Sequence, residues 1–82
     1  MHLEIITPDK MVFEGEVVSA TFPGALGTFQ VLNGHAPLIS TLQKGKLVYK
    51  NDAGQHSMVV DGGVVEVLNN NIIVLAESVE VN

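Results

Sequence analysis

Short apolar runs rich in β-branched residues are separated along the chain by glycine, proline and asparagine. Over the first 63 residues these breaks leave pieces shorter than the average globular helix of about 11 residues, so the pattern excludes helices there. Val18, Ala20 and Phe22 are expected on one face of a strand, with Ser19 and Thr21 on its wetter side. The pattern predicts strands over residues 2–6, 16–22, 28–32, 46–50, 56–60, 64–68 and 72–76.

Two turns are predicted between apolar runs of hairpin length. Asn69-Asn70-Asn71 separates two runs of valine, isoleucine and leucine, and asparagine tolerates a positive φ angle. Asn51-Asp52-Ala53-Gly54 separates another such pair. Because short strands follow one another without alternating helices, the pattern predicts a single all-β domain, either a sandwich or a flattened barrel.

Composition narrows the class of partner. Nine acidic residues against four lysines and no arginine give a net charge of −5, which is the wrong sign for binding nucleic acid. The N-terminus lacks the features of a secretory signal, and no apolar run approaches the roughly 20 residues of a membrane helix. We therefore expect a cytoplasmic-type chain that neither binds nucleic acid nor inserts into a membrane.

The most unusual local sequence is Gly34-His35-Ala36-Pro37-Leu38, in which Gly34 permits positive φ and Pro37 forces Ala36 toward extended geometry. A metal site at His35 would need further ligands, and no histidine or carboxylate is near it in sequence. A catalytic base would need an orienting partner and a nucleophile, and nothing in the sequence pairs Ser40 or Thr41 with a carboxylate. We predict no catalytic and no metal site, and His35 is left as either a structural or a docking residue.

Glycine-containing segments offer no cofactor site. Asp61-Gly62-Gly63 precedes a strand pattern, so no helix N-terminus is available to bind a phosphate, and a turn is predicted. The stretch from Gly24 to Gly27 has too few glycines for a dinucleotide fingerprint. We therefore expect no cofactor.

Lys10 supports an alternative function. A lysine after an aspartate in a small acidic all-β domain is typical of lipoyl carrier modules, in which the lysine is modified. Such a lysine belongs at a hairpin tip near mid-chain, whereas Lys10 follows one short strand, so an ordinary turn at Pro8-Asp9-Lys10 is favoured.

Five segments, in a fixed order and spacing, carry a family resemblance, and the one around His35 is the most specific. They are His2-Leu3-Glu4-Ile5-Ile6-Thr7-Pro8, Phe13-Glu14-Gly15-Glu16-Val17, Gly34-His35-Ala36-Pro37-Leu38, Lys44-Gly45-Lys46-Leu47, and Asp61-Gly62-Gly63-Val64-Val65-Glu66-Val67 with Ile73-Val74-Leu75-Ala76. Together they resemble the N-terminal domain of the epsilon subunit of F-type ATP synthases, called delta in mitochondria.

The resemblance implies a ten-stranded β-sandwich, or flattened barrel, of two antiparallel sheets over residues 1–82. It implies a non-catalytic rotor subunit of the central stalk, peripheral to the cytoplasmic face of the bacterial inner membrane. This subunit would couple the gamma subunit to the proteolipid ring of a proton- or sodium-translocating enzyme. The implied contacts with gamma are Thr7, His35, Ala36, Pro37, Leu38 and Ser40, and those with the ring are Gly27, Thr28, Phe29 and Gln30.

Three departures from the family pattern are visible. Gln30 and Asn33 stand where members commonly have glycine and proline, and Thr28 replaces a frequent acidic residue. Typical members also continue past Ala76 into two helices that regulate hydrolysis, whereas this sequence ends at Asn82. If residue 82 is the natural end, the resemblance implies a subunit that couples rotation but lacks the inhibitory helical arm.

Overall fold

The computed structural model describes residues 1–81, and Asn82, considered above as the end of the domain, lies outside the described residues. All regular elements over residues 1–81 are strands, as the turn spacing predicted. None of these residues forms a helix with the length and apolarity needed to cross a bilayer. The strands are β1 (His2–Ile6), β2 (Met11–Glu16), β3 (Ser19–Gly24), β4 (Gly27–Leu32), β5 (Leu38–Leu42), β6 (Gly45–Asn51), β7 (Gly54–Val60), β8 (Gly63–Leu68), β9 (Asn71–Ala76) and β10 (Val79–Val81).

The strands form two five-stranded halves. One half, sheet A, has the order β10-β7-β6-β3-β4, and the other, sheet B, has the order β5-β8-β9-β1-β2. The backbone link between them is one pair, Gly24 of β3 with Leu42 of β5. The predicted β-sandwich is therefore confirmed, with the refinement that its sheets are joined at this pair. Sheet B also contains a parallel pair, β1 with β9, whereas every other pairing is antiparallel.

On the opposite side, β2 and β10 are the two ends of the hydrogen-bonded path. Side chains hold this side together: the ring of Phe13 from β2 lies 4.3 Å, centroid to centroid, from the ring of Tyr49 on β6. His56 from β7 stacks on the same tyrosine at 5.0 Å. The sandwich is thus joined by backbone on one side and by aromatic side chains on the other.

The core lies between the sheets and consists of their inward-facing residues. In β1, Leu3 and Ile5 are 0% exposed, while their neighbours face outward, as the two-residue period of a strand requires. Phe22 is the largest fully buried side chain. Burial of each large apolar side chain contributes roughly 1.5–3 kcal/mol relative to leaving it in water.

The clearest local signals are confirmed. Strand β1 covers the predicted residues 2–6, and the β6–β7 and β8–β9 hairpins turn at the two asparagine-containing segments. Asn69 and Asn70 have φ angles of 50° and 62°, which explains why asparagine suits this turn. The turn at Gly62 is also confirmed, with φ of 76° before the next strand begins.

Three strands were not predicted: β2, β5 and β10. Residues 11–16 include Glu14-Gly15-Glu16, and β10 has only three residues, so neither shows a clear apolar alternation. The prediction also fused residues 16–22 into one strand, whereas β2 ends and β3 begins within that range. Val18 was wrongly placed on the buried face: it is 62% exposed, and Val17 is buried instead, donating its N–H to the Met1 carbonyl at 2.8 Å.

Candidate docking surface at the junction of the two sheets

The loop that carries His35 is pinned at several points. The His35 N–H donates to the Leu32 carbonyl at 3.1 Å, closing a turn in which Gly34 has φ of 81°. The Gly34 N–H donates to Asn70 Oδ1 at 2.8 Å, which ties the loop to the β8–β9 turn. The expected positive φ at Gly34 is confirmed, and the loop is held by one backbone hydrogen bond and by one to the Asn70 side chain.

The imidazole of His35 is half-buried, and its Nδ1 lies 2.7 Å from the Ala36 carbonyl. This contact orients the ring if Nδ1 carries the proton, because a carbonyl only accepts. Ser40 Oγ donates to the Thr41 carbonyl at 3.0 Å, so its hydroxyl hydrogen bonds to backbone. Within residues 1–81, no ion pair involves His35. The arrangement is that of an oriented surface histidine.

An open depression between β4 and β5 brings together residues predicted for two different partners. His35, Leu38 and Ser40 come from the set predicted to contact gamma. Gly27, Thr28 and Phe29 come from the set predicted to contact the ring, and Leu26 completes the lining. Phe29 packs on Phe22 with ring centroids 5.5 Å apart, so the floor of this depression is continuous with the core.

The remaining predicted contacts lie around this depression or away from it. Ala36 and Pro37 are exposed on the loop, and Gln30 is exposed further along β4. Thr7 lies elsewhere: it hydrogen bonds with Lys10 in the β1–β2 turn, beyond Ile6, which pairs with Leu75. Because Leu75 aligns through β8 with Thr41, the strand register places Thr7 near the Leu42 end of β5, away from the His35 loop.

The outer face of sheet B carries an apolar stripe that sequence reasoning missed. We call it the outer row: Val64, Leu75, Ile6 and Met11, which lie side by side on β8, β9, β1 and β2. All are exposed except Ile6, which is half-buried. Adjacent strands are about 4.8 Å apart, so four strands make a stripe about 15 Å long. The stripe depends on cross-strand register, which local patterns do not reveal.

Leu26 is a second residue that sequence reasoning missed. It occupies the tip of the β3–β4 turn and is fully exposed. A signal existed, because an apolar residue between Ala25 and Gly27 in a turn is unusual for a solvated loop.

The two outer faces differ in charge. Sheet B presents Glu4, Glu14, Glu16 and Glu66, on positions that alternate with core residues. Sheet A presents Lys46 and Lys50 on β6, alternating with the buried Leu47 and Tyr49. Glu80 of β10 aligns with Lys46 through Val59, so the outer face of sheet A carries charges of both signs.

One group of side chains in residues 1–81 has the spacing of metal ligands: His2, Glu4 and Glu14, whose ligand atoms lie within 4.8 Å of one another. Hydrogen bonding to Glu16, the largest cause, and to Glu14 raises the pKa of His2 above its ordinary value, with desolvation opposing. This group is not visible as a local motif, because Glu4 lies on β1 with His2 whereas Glu14 comes from β2.

Comparison with known proteins gives consistent matches. The family model described as "ATP synthase, Delta/Epsilon chain, beta-sandwich domain" matches residues 1–82. An ATP synthase epsilon chain of Nitratidesulfovibrio vulgaris is 46% identical over 98% of this chain and 60% of that protein. One of Chlorobium limicola is 44% identical over 94% of this chain and 89% of that protein. The chain therefore spans about three fifths of the former and most of the latter.

Solved structures show the same fold at lower identity. A chain of the Euglena gracilis mitochondrial ATP synthase, in a structure of OSCP, F1 and c-ring, has a TM-score of 0.86 at 22% identity, covering 94% of this chain and 50% of that one. A chain from the Tetrahymena thermophila mitochondrial ATP synthase central stalk and c-ring has a TM-score of 0.77 at 20% identity, covering 95% and 63%.

Proposed function

Because this chain belongs to the delta/epsilon beta-sandwich family of ATP synthases, we propose that it is a non-catalytic subunit of the central stalk. It joins the gamma subunit to the proteolipid ring, so that the two turn as one body. In the cell it is peripheral to the cytoplasmic face of the bacterial inner membrane, as part of the whole synthase.

The depression between β4 and β5 is the observation that carries this proposal. One side of it is formed by His35, Leu38 and Ser40, and the other by residues 26–29. A coupling joint must hold two partners rigidly with respect to each other. The two sets of predicted contact residues line one surface, and the hydrophobic core lies directly beneath it. This arrangement meets the requirement, because packed side chains transmit force from one side to the other.

The outer row supports gamma as the larger contact. It extends across sheet B toward Thr7, and Ile39, 70% exposed, lies on the same outer face beside the loop. Gamma lying on this face would reach both His35 and Thr7, although the loop and Thr7 are at opposite ends of the sheet. A stable interface of standard size buries about 800 Å² on each partner, and an apolar centre with a polar rim is its usual anatomy.

The ring contact is proposed at the tip of the β3–β4 hairpin. Leu26 is fully exposed there, next to Gly27 and Thr28. A short, rigid hairpin with one apolar side chain at its tip suits insertion between polar loops of a ring. The alternative function, a lipoyl-type carrier at Lys10, has no support from the family matches.

Binding of purified gamma tests the first contact. We expect Leu75→Asp to weaken binding by about tenfold or more, because a charge would be buried in an apolar contact. His35→Ala should also weaken binding, while leaving the unfolding midpoint nearly unchanged. Val18→Asp is the matched control, since Val18 is exposed but lies outside sheet B. Equal affinities for Leu75→Asp and Val18→Asp, in titration calorimetry of folded proteins, would contradict the proposed surface.

Reconstituted ATP synthase tests the coupling role. We expect Leu26→Asp to keep gamma binding but to lower the proton pumping achieved per ATP hydrolysed, because the weakened contact lies on the ring side. Val18→Asp again serves as the control. Enzyme assembled without this chain that pumps protons at the full ratio would overturn the proposed function.

A further inference from the structure

The β1–β2 hairpin carries a square of ionisable side chains on the outer face of sheet B. His2 pairs with Glu16 and Glu4 pairs with Glu14 across the two strands. Positions two apart on a strand share a face, so all four side chains point to the same side. The square is therefore built by regular strand register, with no loop involved.

Both nitrogens of the His2 ring face carboxylates. Nδ1 lies 3.1 Å from Glu16 Oε2, and Nε2 lies 3.2 Å from Glu14 Oε2 and 4.0 Å from Glu4 Oε2. A neutral imidazole has one N–H, so it can donate to one of these sides only. On the other side its lone pair faces a carboxylate oxygen, and either a proton on the ring or a cation shared by the two groups satisfies both.

We propose that the outer face of this hairpin is a binding site for a divalent transition-metal cation of the Zn²⁺ class. His2 Nε2 and the carboxylates of Glu4 and Glu14 are its ligands. Glu16 is a positioning residue: it accepts the Nδ1–H of His2 and thereby directs the Nε2 lone pair at the cation. Such a carboxylate behind a ligating histidine is the usual arrangement in protein metal sites.

The donor set and spacing favour this class of cation. One imidazole with two carboxylates is a Zn²⁺ ligand set, whereas Ca²⁺ and Mg²⁺ bind through oxygen. Tetrahedral ligands with bonds of about 2.0–2.1 Å stand about 3.3 Å apart. The separation of 3.2 Å between His2 Nε2 and Glu14 Oε2 matches that value, whereas Glu4 Oε2, at 4.0 Å from Nε2, must move closer to bind the same ion. The side chains of His2 and Glu14 are 31% and 53% exposed, which leaves a fourth position open to water.

The bound cation would stabilise an edge of the domain. β2 ends the hydrogen-bonded path of sheet B and pairs with β1. A metal ion held by residues of both strands cross-links them, and it relieves the repulsion among the clustered carboxylates. Binding to the folded state alone raises the apparent stability with ligand concentration. This proposal does not depend on the partners named under Proposed function.

Titration of the untagged, metal-free chain with ZnCl₂ tests the site. We expect saturable binding of one ion by calorimetry and an increase in the thermal midpoint. In imidazole ¹⁵N spectra, His2 should be perturbed at Nε2, while His35 and His56 are unaffected. Glu4→Gln and Glu14→Gln should each weaken binding by about tenfold or more, and Glu16→Gln should weaken it while shifting the tautomer of His2.

Glu66→Gln is the matched control, because it removes the same charge from the same face of sheet B, on β8. It should change the affinity less than about twofold. Three outcomes would each overturn the proposal. They are the absence of saturable binding, perturbation of His35 or His56 in place of His2, and equal weakening by Glu66→Gln and Glu14→Gln. Should a variant fail to fold, the ¹⁵N titration of the unaltered chain decides alone.

Discussion

The two sheets meet at two junctions that are built differently. At the glycine junction, Gly24, Leu42 and Gly63 pair side by side across β3, β5 and β8. At the aromatic junction, the ring of Phe13 packs at a tilt against the ring of Tyr49, without any strand pairing between β2 and β6. At both glycines a Cβ atom has no room, because the next strand of the same sheet approaches closely: β4 at Gly24 and β9 at Gly63. A junction made of side chains can repack, and we expect it to tolerate substitution better.

Gly63→Ala should have the largest effect of any change at the junctions. A Cβ at this position would overlap the Leu75 carbonyl oxygen on β9, and Gly63 has φ of 127°. Steric overlap with backbone and a disfavoured φ act together, so we expect a loss of about 3–5 kcal/mol in the free energy of unfolding. Urea unfolding followed by circular dichroism measures it.

Gly54→Ala separates the two causes, because Gly54 has φ of 115° but nothing lies within 4 Å of its Cβ position. It should cost about 1–2 kcal/mol, from backbone conformation alone. If Gly63→Ala and Gly54→Ala lose the same stability, then steric overlap at Gly63 adds nothing to the cost of the backbone conformation.

Gly24→Ala tests space without an unusual φ. The added Cβ would lie 2.6 Å from the Gly27 carbonyl oxygen and 2.8 Å from Phe29 Cε1. We expect a loss of about 2–3 kcal/mol in urea unfolding, because the backbone at Gly27 must shift. Since Gly27 and Phe29 line the docking depression, amide chemical-shift changes should extend along residues 26–29. If Gly24→Ala is as stable as the unaltered chain, then the backbone around Gly27 can shift at little cost in free energy.

Phe13→Leu should have a smaller effect, because the aromatic junction can repack. Leucine keeps most of the buried apolar area. The variant loses the aromatic pairing with Tyr49, which contributes about 0.5–1.5 kcal/mol to the free energy of unfolding, and it leaves a small cavity. We expect a total loss of about 1–2 kcal/mol by the same urea measurement. Val18→Ala, at an exposed position, should change stability by no more than about 0.5 kcal/mol. A loss for Phe13→Leu as large as that for Gly63→Ala would remove the contrast between the junctions.

The glycine junction also marks the limit of what the sequence could predict. Gly63 was interpreted as a turn residue, because Asp61-Gly62-Gly63 has that local meaning, and Gly24 was considered only as part of a glycine-containing segment. Their role as close-packed pairing positions needs the register of three strands. Features that depend on neighbours in sequence were predictable: the asparagine turns, the alternation in β1 and the pinned loop at Gly34. The outer row and the square around His2 were not, since their members are joined only across strands.

The titration of Tyr49 is a sensitive probe of the aromatic junction. Its change is the smallest effect that we predict. Burial raises the pKa of its phenol. The folded state therefore favours the neutral form, so this contribution to stability is complete below the unfolded pKa of about 10 and is lost as pH rises through the folded value. With one tyrosine and no tryptophan in the chain, ultraviolet absorbance reports this titration alone.

In wild type we expect the phenolate to form above pH 10, with the unfolding midpoint falling over the same range. Phe13→Leu should open the junction to water and bring the pKa back toward about 10. Leu26→Asp should leave it unchanged, because Leu26 is exposed at the tip of the β3–β4 turn, away from the pairing of Ala20 with Tyr49. If Phe13→Leu leaves the titration of Tyr49 where it is in wild type, then Phe13 does not shield the phenol. The aromatic junction would in that case be closed by other side chains.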